Sequence, residues 1–214
     1  MEDKLEILSD KISPNSNSQP NKEKLESELS ILINDLTKIK EEGNDLYKKN
    51  QKEEALKVFL KGSKLYHEKS KTIYKDYFFC SRFNELSIVI KKILSNIALC
   101  YYKQENYRQA IIYDLEIIAL EPRYGRSIVR LLKSYSKINK IQQSVYYGNI
   151  FMNLDKDTRN KFKDMPQIIE QEKIKLKNIQ EAEKNKANKD LILFFGSFLT
   201  IFMGVLIFYL LKKQ

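Results

Sequence analysis

This sequence predicts an all-α fold: an array of helical hairpins, then a capping helix, then one apolar C-terminal helix. Three observations carry the prediction. A pattern of small, aliphatic and aromatic residues recurs between Leu36 and Leu154. Glycine and proline are scarce, at 6 and 4 in 214 residues, which suits long helices and ill suits a β-rich chain. The third is the run Leu191–Leu211, which contains no charged residue.

The recurring pattern has three units. The first reads Lys40-Glu41-Glu42-Gly43-Asn44-Asp45-Leu46-Tyr47, followed by Ala55, Phe59 and Gly62. The second reads Asn96-Ile97-Ala98-Leu99-Cys100-Tyr101-Tyr102, with Ala110 and then Glu121-Pro122. The third runs from Gly125 through Arg126 and Arg130 to Leu132, with Tyr135, Ser144 and Leu154 after it. Gly43 aligns with Ala98, and Lys40 with Arg126. Each unit places a small or aliphatic residue where two helices cross, then an aromatic, then a second small residue twelve positions on. That is the signature of the 34-residue tetratricopeptide (TPR) repeat, whose helix pairs bury their apolar stripes by stacking on neighbours. Three units meet the minimum for such stacking, so the expected fold is a three-repeat TPR superhelix.

In chain order, residues 1–21 come first: a possible helical turn, then a polar, proline-containing stretch that reads as a disordered spacer. From Lys24 an apolar row at Leu25, Leu29, Leu32, Leu36 and Ile39 marks one face of a helix running to about Lys49. With only two heptads, this seam is expected to pack on the array rather than form a separate coiled coil. Residues 22–154 are thus an N-terminal helix plus the array. The period then breaks, because Asn44 and Asn96 are 52 apart where a plain layout gives about 31. The excess, centred on residues 66–86, holds Tyr66, Tyr74, Tyr77, Phe78, Phe79 and Phe83. So aromatic a segment predicts elongated helices between repeats 1 and 2 rather than a loop. Repeats two and three then occupy about 87–120 and 124–153. Residues 155–189 form a capping and linker helix, with Pro166 in its first turn and a narrow apolar side of Ile168, Ile169, Leu176 and Ile179. Leu191–Leu211 is long enough, at about 1.5 Å per residue, to cross roughly 30 Å of hydrocarbon. Lysines flank it on both sides. It is expected to be a transmembrane tail anchor, with everything before Asp190 in the cytosol.

Composition narrows the chemistry. The 38 basic and 28 acidic residues leave +10, yet no nucleic-acid motif accompanies the surplus. Nucleic acid and small-molecule substrates are not expected partners. Cys80 and Cys100 make no disulfide framework, and Cys100 reads as a buried thiol. With no signal peptide and no N-glycosylation sequon, the soluble part reads as cytosolic. The single histidine, His67, reads as a solvated surface residue with no catalytic constellation around it. No enzyme activity, metal or cofactor is expected.

One set of residues points to a ligand. Lys40 and Asn44 are four apart on one helix and share a face, as do Arg126 and Arg130 on another. Asn96 lies on the equivalent helix between them. These five are expected to converge on the concave groove with no counter-charge supplied by the array. Three cations and two amides suit a peptide ending in carboxylates, which accept charge-assisted hydrogen bonds. The quintet Lys40, Asn44, Asn96, Arg126, Arg130 resembles the dicarboxylate clamp of TPR co-chaperones. The elongated helices, and Ser95-Asn96-Ile97-Ala98-Leu99-Cys100-Tyr101, are similar to the TPR domain of large FK506-binding immunophilins. The tail anchor resembles that of their membrane-bound member. The resemblance covers about residues 36–155 plus the anchor. It implies binding to the Glu-Glu-Val-Asp C-terminus of Hsp90 or Hsp70. It carries no isomerase activity, since only residues 1–35 precede the array. The expected role is an adaptor that recruits Hsp90 or Hsp70 to the cytosolic face of the endoplasmic reticulum or mitochondrial outer membrane. Its rivals are a receptor for chaperone-delivered precursors and a clamp-independent tail-anchored scaffold of the organelle-division type.

Overall fold

The structure is a computed structural model. It describes the backbone of residues 19–73 and 82–211, and side-chain surroundings from Lys24 to Phe194 apart from Leu25 and residues 71–81. Eight helices lie in the described residues: α1 (Gln19–Lys48), α2 (Lys52–Ile73), α3 (Phe83–Lys103), α4 (Tyr107–Leu120), α5 (Gly125–Lys137), α6 (Ile141–Met152), α7 (Lys156–Asn160) and α8 (Met165–Leu211). They divide into two compact units, the first ending at Ser127 and the second beginning at Ile128.

In the first unit, the N-terminal seam and the described ends of the period-breaking insertion are parts of one bundle. Helices α1, α2 and α3 have 30, 22 and 21 residues, against 14 for α4. The extra turns bury Leu29, Leu32 and Leu36 of α1 in one cluster with Tyr66 of α2 and Leu86 and Ile90 of α3. Burying one such side chain stabilises by about 1.5–3 kcal/mol, so the seam belongs to the core and not to a coiled-coil partner. Helices α2 and α3 are thus elongated as expected, while only Tyr66 and Phe83 of the aromatics behind that expectation lie in the described residues. Tyr74, Tyr77, Phe78 and Phe79, like Cys80 and the N-terminal spacer through Ser18, lie outside the described residues.

Gly43 earns its place by closeness to a neighbour. A Cβ there would sit 2.4–2.8 Å from ring atoms of Phe59, which is itself buried and cannot swing aside. In most helix interiors alanine is about 1 kcal/mol better than glycine. Here overpacking, typically 1–3 kcal/mol, outweighs that gain. Ala98, at the matching position of repeat two, is fully buried.

The hairpin turns show the repeat in the backbone. Asn50, Glu105 and Asn139 end α1, α3 and α5 with positive φ of 62°, 59° and 62°. Behind each, an N–H reaches back five residues: Gln51 to Leu46, Asn106 to Tyr101, and Lys140 to Tyr135. This left-handed stop ties off the last carbonyls of a helix. Asparagine tolerates it, whereas glutamate pays a steric cost. Glu105 and Asn139 are 34 residues apart, one repeat. The aromatic positions keep the same interval. Tyr101 stacks on Tyr113 at 5.7 Å, and Tyr135 on Tyr147 at 5.6 Å.

The second unit centres on α6 and α8. Gly148 of α6 lets α8 approach, since a Cβ there would lie 3.0–3.1 Å from Ile169. The buried row on α8 is Met165, Ile169 and Glu172, spaced four and three. This corrects the narrow apolar side read from sequence: Ile179 is exposed, and a carboxylate occupies the row instead. Glu172 accepts hydrogen bonds from Ser136 Oγ at 3.0 Å and Lys175 Nζ at 2.6 Å. Helix α7 is capped by Asp155, which accepts from the Thr158 N–H at 2.8 Å, and that bond holds its carboxyl below the usual range.

Beyond Leu176, α8 continues as a helix whose described side chains, residues 177–194, are all exposed. Among the described residues no helix is long and apolar enough to cross a membrane. Most of the apolar span, residues 195–211, is described only as helical backbone, and its side chains lie outside the described residues.

Candidate functional site

The site is built on two parallel helices of the first unit. Lysines, glutamates and Leu46 supply the strong helix formers between Lys38 and Lys48 of α1, with Gly43 tolerated because Phe59 packs where a side chain would be. That helix carries Lys40 and Asn44 one turn apart. Helix α3 is held at its apolar face by Ile90, Ile93, Leu94, Ile97 and Ala98, all fully buried. Asn96 stands beside this face, half-buried.

The structure brings Asn44 and Asn96 into direct contact. Asn96 Nδ2 donates to Asn44 Oδ1 at 2.7 Å. Each primary amide has two N–H donors, so this bond leaves Asn44's pair and Asn96's second N–H for a ligand. Lys40 lies one turn away with its side chain 18% exposed. The absence of counter-charge expected from sequence needs one correction. Lys40 Nζ is 3.7 Å from the carboxylate of Glu41, its chain neighbour. That pair is long and Glu41 is exposed, so it contributes little and a ligand carboxylate can replace it.

The two arginines are placed differently. Arg126 is exposed in the first turn of α5, at the end of the first unit. Arg130, one turn on, belongs to the second unit and is only 9% exposed, already engaged within the protein. Lys40, Asn44 and Asn96 are thus assembled in one unit, whereas Arg126 and Arg130 share only their helix face.

Sequence reading missed two pairings. His67 has no carboxylate near it in the chain beyond Glu68, but Glu116 of α4 meets it, with Nε2 2.9 Å from Oε1. The histidine is half exposed, as expected, yet it is paired rather than simply solvated. Arg82, just before α3, donates to Ser30 Oγ of α1 at 2.5 Å. Only the packing of α1 against α3 makes that contact legible. Among the described residues no group of three or more His, Cys, Asp or Glu is placed to hold a metal ion.

No protein-family model and no curated protein matches this chain. Solved structures do. The chain is similar to the C-terminal TPR-containing domain of an FK506-binding protein from Plasmodium falciparum, at 17% identity and a TM-score of 0.58, covering 70% of this chain and 93% of that one. It also aligns with the Hsp90 co-chaperone Cns1 from Saccharomyces cerevisiae (19% identity, TM-score 0.49, 72% of this chain and 44% of that). A third alignment is with the first TPR of Spaghetti (RPAP3) bound to an HSP90 peptide (16%, 0.44, 64% and 96%). The first of these likenesses establishes the fold: this chain is all-helical with the TPR arrangement of its hairpins.

Proposed function

We propose that this chain is a non-enzymatic TPR adaptor that binds the acidic C-terminal peptide of Hsp90 or Hsp70 at the cytosolic face of an organelle. The observation that carries the reading is the Asn96–Asn44 hydrogen bond, which joins two amides on neighbouring helices one turn from Lys40. Amides and a lysine at that spacing supply several donors and one cation to a single carboxylate-sized patch. Hydrogen bonds of that kind to a charged group are shorter and stronger than neutral ones. Arg126 and Arg130 are proposed to complete the clamp from α5. The apolar run Leu191–Leu211 is proposed as the membrane anchor, in the endoplasmic reticulum or mitochondrial outer membrane. In support, Leu191, Ile192, Leu193 and Phe194 are 54–70% exposed at its start, an apolar surface that water disfavours.

The test is binding of a peptide ending Glu-Glu-Val-Asp, as free acid and as C-terminal amide. A hydrogen bond to a charged group contributes roughly 1.5–3 kcal/mol, so Lys40→Ala and Asn44→Ala are each expected to weaken the free acid about ten- to a hundredfold. Helical content should not change. Arg126→Ala is expected to cost less, because an exposed cation is partly screened. Equal binding of the amide and the acid would sink the clamp.

A further inference from the structure

We infer that Lys92 is a sixth ligand-binding residue, forming with Lys40 a cationic rung that takes a side-chain carboxylate of the bound acidic peptide. This rests on the peptide-binding reading above and extends it to a residue that the five-residue set omits.

The argument begins with helix register. Two side-chain hydrogen bonds tie α1 to α3 and the residue just before it: Arg82 with Ser30 and Asn96 with Asn44. Each spans a separation of 52 residues. Contacts of equal offset at both ends of a stretch mean that the two helices run parallel and in step between them. The same offset sets Lys92 opposite Lys40. Both lysines stand four residues before their asparagine, so Lys-x-x-x-Asn occurs twice, at Lys40–Asn44 and Lys92–Asn96. Four residues on a helix is one turn on one face, about 6 Å along the axis. The two motifs therefore form two rungs across the helix pair, one of amides and one of ammonium groups.

The neighbouring lysine shows which of the two is available. Lys91 pairs with Glu121 at the end of α4, and its side chain is 15% exposed, so its charge is already answered inside the fold. Lys92 is exposed, and among the described residues no carboxylate lies within ion-pair distance of it. Packed helices lie about 8–10 Å apart, and lysine stems are long enough for both ammonium groups to reach one carboxylate between them. Without a ligand the two cations repel, and Glu41 is an exposed and distant answer to one of them. A bound carboxylate removes that repulsion. The terminal carboxylate and a side-chain carboxylate of one peptide would thus occupy adjacent rungs.

The experiment uses the full chain in detergent micelles and measures peptide affinity by fluorescence anisotropy. The probes are the free-acid peptide ending Glu-Glu-Val-Asp and two versions in which one or the other glutamate is glutamine. Lys92→Gln is expected to weaken the parent peptide about tenfold, the scale of one charge-assisted contact. Against one of the two glutamine peptides it should have no effect, because the partner charge is already gone. Lys92→Gln binding the parent like wild type, while Lys40→Ala loses it, would overturn the Lys92 assignment and leave the clamp standing. Equal weakening toward all three peptides would overturn it too, since only a diffuse field would then be acting. A wild-type chain that does not distinguish free acid from amide would remove both readings together.

Discussion

Glu116 is a carboxylate whose surroundings oppose each other. Burial pushes its carboxyl above the ordinary value of 4.5, and the charge of His67 across a 2.9 Å contact pulls it back. The net direction is upward. Between 4.5 and the raised value, the folded chain still holds a proton that the unfolded chain has lost, so stability falls as pH rises through that window. Glu116→Gln is expected to flatten this dependence. Urea midpoints of the two proteins, compared from pH 4 upward, are expected to diverge as Glu116 ionises. Parallel curves would mean that the pair is too well solvated to matter. Glu116 lies 49 residues from His67, on another helix, and neither residue's neighbours hint at the other. By contrast, Lys40 and Asn44 share a helix face that spacing alone reveals.

Helix α8 shows what an element can conceal in a regular pattern. Its buried row passes through Glu172, which is 2% exposed and has one oxygen, Oε2, without a hydrogen-bond partner. A buried ion costs desolvation that a single lysine and a serine offset only in part. Replacing such a group by an apolar residue of similar volume is often stabilising by about 1–4 kcal/mol. Glu172→Leu is therefore expected to raise the thermal midpoint, while Ser136→Ala, which strips a partner from the carboxylate, is expected to lower it. The paired melts decide the point, and a fall on Glu172→Leu would show the carboxylate to be indispensable to the α6–α8 contact. Sequence predicts one helix over residues 155–189, whereas the chain forms a short α7 and then α8 from Met165, and the row that sequence favours runs through Ile179. The helix rotates so that Met165, Ile169 and Glu172 face inward, a choice made by the gap at Gly148.

At the scale of the whole molecule, packing ends well before the apolar span. No described residue from 177 to 194 is buried, so the core does not draw on that part of α8. Deleting Leu191–Gln214 is expected to leave a folded helical protein with unchanged peptide affinity. Circular dichroism and anisotropy on the truncated chain check this, and aggregation or loss of helix would place residues 191–211 in the core. The same change should release the protein from membranes in a flotation assay.

Local order in this chain is written in the sequence, because helix periodicity, repeat spacing and turn chemistry act over a few residues. The three hairpins, the long first helix and the shared face of Lys40 and Asn44 follow from that. Relations between helices are another matter. The 52-residue offset that joins Asn44 to Asn96 includes the insertion, and its length alone does not say whether the helices lengthen or a loop forms. In the described residues α2 reaches Ile73 and α3 starts at Phe83, and the packing of Leu29, Leu32, Tyr66, Leu86 and Ile90 buries those extra turns in one cluster. From that packing come the register of α1 on α3 and the meeting of His67 with Glu116. Each depends on contacts between residues distant in the chain, where side-chain shape decides the alignment and sequence spacing carries no signal of it.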